Sequence, residues 1–163
     1  ARYHKATGDG LMTESVAILL YLGEKYGEGR LMPPPGSWER GQMMMRMLFL
    51  ASQEHPAFGL WLRPFRWLDD GDEQGRLKAA AEERFAVCFQ RLDGWLEGRD
   101  WLVGDGVSHA DFSCCSYLFY PEPFGFDRKD WGNIDRWLSN IEGLDGWKHP
   151  YDLMPGRPSD RGL

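Results

Sequence analysis

From Glu14 to Tyr26 the chain reads ESVAILLYLGEKY, with Val16, Ile18, Leu19, Leu20 and Leu22 apolar around most of a helical circumference. That pattern predicts a helix buried on more than one side. Ahead of it, Gly8-Asp9-Gly10 predicts a tight turn and Leu11-Met12-Thr13 a short edge strand leaving the turn. Behind it, Gly27 and Gly29 mark the stop. Leu31-Met32-Pro33-Pro34-Pro35-Gly36 can then be neither helix nor central strand, because three successive prolines lack N–H donors. This is the one linker the sequence predicts.

Everything beyond the linker reads as helix. Ser37 is placed to cap a long helix whose apolar stripe runs Met44, Leu48, Ala51, His55 and Phe58, in steps of four and three. Pro56 falls inside that stripe and would leave the Ser52 carbonyl without its helical donor, so a kink or local opening is expected there. Leu60 to Asp72 is aromatic and irregular and ends in an acidic turn. A second long helix is predicted from about Gln74 to Gly98, striped by Leu77, Ala81, Arg84/Phe85, Cys88, Leu92 and Trp95. A third starts at Ser108 and must stop by Pro121. After a loop to Asp130, a fourth spans about Asn133 to Glu142, with Ile134, Trp137, Leu138 and Ile141 on one face. After Pro150, the tail MPGRPSDRGL is expected to be extended and partly mobile.

Composition narrows the function classes. The 163 residues are 42% hydrophobic and 14% aromatic, which fits one compact domain and a little more. The net charge of −6 comes with no block of Lys and Arg, so neither nucleic acid nor an anionic membrane is an expected partner. No apolar run approaches the roughly 20 residues that span a bilayer, and the first residues carry no signal-peptide core. Cys88, Cys114 and Cys115 form no CxxC pair, which predicts a reducing, cytoplasmic setting.

The sharpest local signal is Gly106-Val107-Ser108-His109-Ala110-Asp111-Phe112. Ser108 at the N-cap and Asp111 at the third helical position predict a capping box, with Val107 and Phe112 as its hydrophobic staple. His109 and Asp111 are too few to be metal ligands, and the carboxylate is already committed, so no metal site is expected. The three cysteines read as small apolar fillers rather than nucleophiles. Met43, Met44, Met45 and Met47 are adaptable thioethers. Met44 and Met47, with Trp61, are candidates for an apolar substrate pocket, although the same residues suit core or dimer contact equally well.

The run GDGVSHADF resembles the capping-box and staple segment of cytosolic glutathione transferases, where it opens a central buried helix. MTESVAILLYLGEKYG resembles the segment that ends their thioredoxin-like domain, a Pro-rich linker is typical of them, and LFLASQEHPAFG is similar to a helix of their bacterial members. The resemblance implies a mainly α fold: residues 1–28 as the end of a thioredoxin-like glutathione-binding domain, 29–36 as linker, and 37–163 as an all-α bundle. A complete member begins with a βαβ unit carrying the catalytic Ser, Cys or Tyr, and fewer than fifteen residues precede Glu14. The sequence therefore reads as an N-terminally truncated member whose catalytic residue is unknown.

In the family, the residues matching Glu14 and Ser15 hold the γ-glutamyl end of glutathione, the acid pairing with its ammonium group and the Ser with its carboxylate. By composition alone, Thr13 or Ser15 would merely cap the helix. A His matching His55 contacts glutathione in bacterial relatives, where the next residue is often Lys rather than Pro56; read from its stripe alone, His55 is as easily a core histidine. The implied activity is glutathione S-transferase: a thiolate attacks a small hydrophobic electrophile in an apolar pocket of the bundle, with glutathione as co-substrate and no cofactor. A homodimer using the helix from Ser37 is implied as well. The alternatives are a non-catalytic interaction module on the same fold and a glutathione-dependent disulfide reductase.

Overall fold

The computed structural model describes residues 2–3, 12–119 and 127–153. The turn predicted at Gly8-Asp9-Gly10, most of the loop after Pro121 and the tail beyond Leu153 lie outside the described residues. Strands β1 (Arg2–Tyr3) and β2 (Met12–Thr13) pair antiparallel, Arg2 opposite Thr13 and Tyr3 opposite Met12. β2 leads through Glu14 into α1 (Ser15–Tyr26), which buries Ile18 and Gly23. A Cβ at Gly23 would lie 2.1 Å from Met32 Sδ and 2.4 Å from His109 Nε2, so only glycine lets α1 approach this closely.

The Pro-rich segment is no loose tether. Met32 is buried, and the Leu31 carbonyl accepts the His109 N–H at 3.0 Å. Arg40 donates to the Pro33 carbonyl at 3.1 Å and pairs with Glu24 on α1. The linker is thus held between α1 and the helices that follow.

Helix α2 (Trp38–Phe49) starts as predicted, with the Ser37 hydroxyl accepting from Arg40 N at 3.1 Å. Its core face is one residue earlier than the predicted stripe: Met43, Arg46, Met47, Leu50, Glu54 and Ala57 are buried, while Met44, Leu48, Ala51 and His55 are exposed. The run MMMRMLFL is apolar around the whole circumference, so periodicity cannot choose a face. Arg46 and Glu54 then place polar residues on the side that turns inward. The opening expected before Pro56 takes the form of a π turn, Leu50–Glu54, in which the His55 N–H reaches the Leu50 carbonyl five residues back. Helix α3 (His55–Leu62) continues, and Pro64–Arg66 adds a 3₁₀ turn inside the segment expected to be irregular.

Helix α4 (Gly71–Trp95) begins earlier than predicted because Asp70 is its cap, accepting from Glu73 N at 3.0 Å. Ala81, Phe85, Cys88 and Leu92 are buried on the expected stripe, with Phe89 beside them, while Arg84 is exposed. Helix α5 (His109–Cys114) is short and gives way to turns before Pro121. Helix α6 (Gly132–Glu142) buries Ile134, Trp137, Leu138 and Ile141 as predicted. Asp93 on α4 accepts its opening N–H groups from Asn133 and Ile134 at 3.1 and 3.2 Å. Pro150–Leu153 forms a helical turn, α7, ahead of the tail.

The capping box forms at the head of α5, and Asp111 does more than close it. Its Oδ2 accepts from Ser108 N at 2.7 Å and Ser108 Oγ at 2.8 Å. Its Oδ1 accepts from Leu102 N and Trp137 Nε1, both at 2.8 Å. One carboxylate with no exposed surface therefore ties the loop at Leu102, the start of α5 and the middle of α6. Among the described residues, no helix is long and apolar enough to cross a membrane.

Candidate functional site

A cleft of about 650 Å³ runs between the start of α1 and the bundle. Thr13, Glu14, Ser15 and Leu19 form one wall; Leu50, Ala51, His55, Phe112, Ser113, Ser116 and Tyr117 form the other. The adjacent Glu14 and Ser15 thus face one space with His55, about forty positions further along the sequence. Met44, Met47 and Trp61 do not join them.

The α1 wall is built by a sharp reversal. Glu14 has φ of +69°, a left-handed conformation that a glutamate adopts at a cost, and it turns β2 directly into the helix. Among the described residues no side chain caps α1, and its first turn carries no acidic residue. The helix start therefore leaves its first N–H groups and the positive end of its dipole next to Glu14 and Ser15, which are exposed and line the cleft. An acid next to an uncapped helix start can hold an ammonium and a carboxylate of one ligand side by side.

The bundle wall carries polar groups among its apolar ones. His55 opens α3 right after the π turn, and its Nδ1 is hydrogen-bonded to the Tyr117 hydroxyl. The Tyr117 ring packs on Phe58, with centroids 4.4 Å apart. Ser116 Oγ donates to the Ser113 carbonyl at 3.0 Å, and the buried Ser113 hydroxyl has no partner among the described residues. Sequence reasoning missed Tyr117 and Ser113. The only signal for them was their four-residue spacing in the run that Ser108 opens.

Behind this wall, burial sets the charge states. Glu54, adjacent to His55 but facing the core, has its carboxyl pushed up to about 8 by desolvation, and its Oε1 has no partner among the described residues. Burial pushes the Cys88 thiol up to about 11, and it raises Cys114 and Cys115 as well. All three are free and buried, which suits apolar fillers and not thiolate nucleophiles. Desolvation lowers the pKa of Arg46, which lies with its guanidinium carbon 5.3 Å from the centre of the Trp95 ring.

The candidate substrate pocket of Met44, Met47 and Trp61 is corrected by the structure. Met47 has no exposed surface and belongs to the core. Met44 lies on a different face of α2, beside Met45, Leu48, Phe49 and Arg91. Trp61 donates from its indole to Glu82 on α4 at 2.9 Å, with the Lys78 ammonium over its ring. The phase of α2 and the α3–α4 contact decide these positions. Among the described residues, no group of three or more His, Cys, Asp or Glu could hold a metal ion.

Comparison with known proteins fits this architecture. The sequence is similar to glutathione S-transferase D6 of Drosophila melanogaster, at 26% identity over 135 residues, which is 82% of this chain and 60% of the relative. The chain thus spans less than two thirds of that relative's length. The structure is similar to a glutathione S-transferase from Xanthobacter autotrophicus, with a TM-score of 0.75 and 26% identity, covering 94% of this chain and 70% of the other. It is also similar to a sphingomonad glutathione S-transferase complexed with glutathione, with a TM-score of 0.71 and 29% identity, covering 85% and 66%. Residues 42–145, more than half of the chain, match the family described as glutathione S-transferase, C-terminal domain. The mainly α chain, a helical bundle behind a short strand and one helix, belongs to the glutathione S-transferase family.

Proposed function

We propose that this chain supplies the glutathione-binding cleft of a glutathione S-transferase, which joins the glutathione thiolate to a small electrophile. The observation that carries the reading is the meeting of Glu14, Ser15 and His55 at one cleft of about 650 Å³. In this reading Glu14 takes the γ-glutamyl ammonium, while Ser15 and the uncapped N–H groups of α1 take its carboxylate. His55 faces the tripeptide from the bundle wall. The electrophile occupies the side lined by Leu50, Phe112 and Tyr117, in place of the methionine pocket expected from the sequence. What these residues contribute is binding and orientation, which convert thiol and electrophile into a pre-arranged pair.

The same reading assigns residues 1–28 to the glutathione-binding domain, 29–36 to the linker and 37–163 to the bundle. It also gives the exposed face of α2 a use. Met44, Met45 and Leu48 are 40%, 48% and 55% exposed beside Phe49 and Arg91, an apolar patch suited to a second copy of the chain. Three buried free thiols fit a reducing, cytoplasmic setting.

Calorimetric titration of the chain with glutathione tests the proposal. Binding is expected, weakened about tenfold or more by Glu14→Ala and by Ser15→Ala, since each removes a charge-assisted hydrogen bond. Equal affinities in parent and variants, at unchanged stability, would leave a helical module without this ligand site.

A further inference from the structure

We infer that Tyr117 is a positioning residue that presents His55 to the cleft as a hydrogen-bond donor. The inference rests on the proposed function for the identity of the ligand, but on geometry alone for the state of the imidazole. Tyr117 sits in the turns after α5 and His55 at the head of α3, so the two are brought together only by the fold. Their rings lie with centroids 5.7 Å apart, and the phenol oxygen is hydrogen-bonded to Nδ1. The phenol is held from its other side by the Phe58 ring at 4.4 Å, which limits its rotation about the bundle wall.

The direction of that hydrogen bond follows from acidity. A phenol O–H, with a pKa of about 10, is a better donor than a neutral imidazole N–H, and an imidazole lone pair is a better acceptor than a phenol oxygen. Tyr117 therefore donates and Nδ1 accepts. A neutral imidazole whose Nδ1 accepts must carry its proton on Nε2. Nε2 has no partner among the described residues, and the side chain lines the cleft. What the cleft receives is an N–H, suited to a thiolate or carboxylate. A lone pair there would instead take a proton from the ligand.

The backbone supports the arrangement. The π turn at Leu50–Glu54 hands the chain to His55 with its own N–H bonded to Leu50, and Leu50 is itself a lining residue. One segment thus fixes both the apolar floor and the imidazole. Pro56 follows at the second position of α3 and supplies no N–H to the turn before it. The ring direction of His55 is then left to its one side-chain partner. A tyrosine at 117 decides which nitrogen is offered.

Nitrogen-15 NMR of the full chain, with histidines labelled, reads the tautomer directly and needs no ligand. At alkaline pH the parent should show His55 as the Nε2–H form, with Nδ1 shifted to the unprotonated range. Tyr117→Phe keeps the ring on Phe58 and should mix the two tautomers. Titration with glutathione should then show Tyr117→Phe binding about fivefold more weakly, the value of one neutral hydrogen bond. In a His55→Gln background, whose side chain carries its own donor, the same change should have no effect. A parent spectrum with Nδ1–H, or one unchanged by Tyr117→Phe, overturns the inference. A parent with the Nε2–H form, lost in Tyr117→Phe, that fails to bind glutathione overturns the proposed ligand and leaves the donor role of His55 standing.

Discussion

Replacing Asp111 by Asn should cost about 3–5 kcal/mol of stability, a figure that follows from its four hydrogen bonds. The substitution is nearly isosteric, so no cavity is opened. The Asn carbonyl can stand in for Oδ1 and keep the bonds from Leu102 N and Trp137 Nε1, both now to a neutral acceptor. Bonds to charged acceptors contribute roughly 1.5–3 kcal/mol and neutral ones roughly 0.5–1.5, so about 1 kcal/mol is lost on each. The Asn amide takes the place of Oδ2 and faces the Ser108 N–H, one donor against another. The Ser108 hydroxyl can rotate to accept, but its amide is left buried and unpaired, for roughly 1–3 kcal/mol more. Asp111→Ala strands all four donors and approaches the whole stability of an ordinary domain, about 5–15 kcal/mol. Equilibrium urea unfolding followed by far-ultraviolet circular dichroism measures the effect. Asn should lower the midpoint by about 1.5–2.5 M at an unchanged slope near 2 kcal/mol/M. A loss below about 1 kcal/mol, no more than an ordinary helix cap, would show that the carboxylate is not the tie between Leu102, α5 and α6.

Two further perturbations read other parts of the fold. Glu54 should make the protein less stable as pH rises: burial holds its folded pKa at about 8, above the ordinary 4.5, so the folded state keeps a proton that the unfolded chain releases. That contribution is complete below pH 4.5 and is lost progressively toward pH 8, by up to about 5 kcal/mol. Urea midpoints measured from pH 5 to 8.5 should fall in the parent more steeply than in Glu54→Gln, and parallel curves would contradict a buried neutral carboxyl. Gly23→Ala should destabilise by about 1–3 kcal/mol, because the methyl meets Met32 Sδ and the His109 ring. A thermal midpoint unchanged by this substitution would mean that α1 does not pack as closely as described.

The sequence marked helix starts far better than helix faces. Ser37 and Ser108 announced their helices because a cap is a local arrangement, readable within four residues. The α6 face was equally legible, since Ile134, Trp137, Leu138 and Ile141 are apolar against polar neighbours. Helix α2 offered no such contrast. Met43 and Met44 look alike in a string, and only the neighbouring helices bury the first and expose the second. Arg46 and Glu54 pointed the wrong way, being charged residues in the core. The site divides along the same line. Glu14, Ser15 and His55 were nameable through family resemblance, but Tyr117 belongs to the site through a contact spanning 62 positions. Asp111 was legible as a cap, whereas its bond to Trp137 spans 26 positions. Periodicity does not see contacts of that range.

The π turn has a consequence for how this chain should be counted against its relatives. Five residues closing one turn hold an extra residue's worth of rotation, about 100° in a helix of 3.6 residues per turn. Deleting one residue from Leu50–Glu54 would give a straighter, more regular helix and would swing His55 a quarter-turn or more away from Tyr117. A rod of ordinary pitch would therefore carry the same amino acids and lose the imidazole from its place. For this segment, angular position around the axis is the quantity to conserve in any graft or redesign, ahead of the number of residues between landmarks.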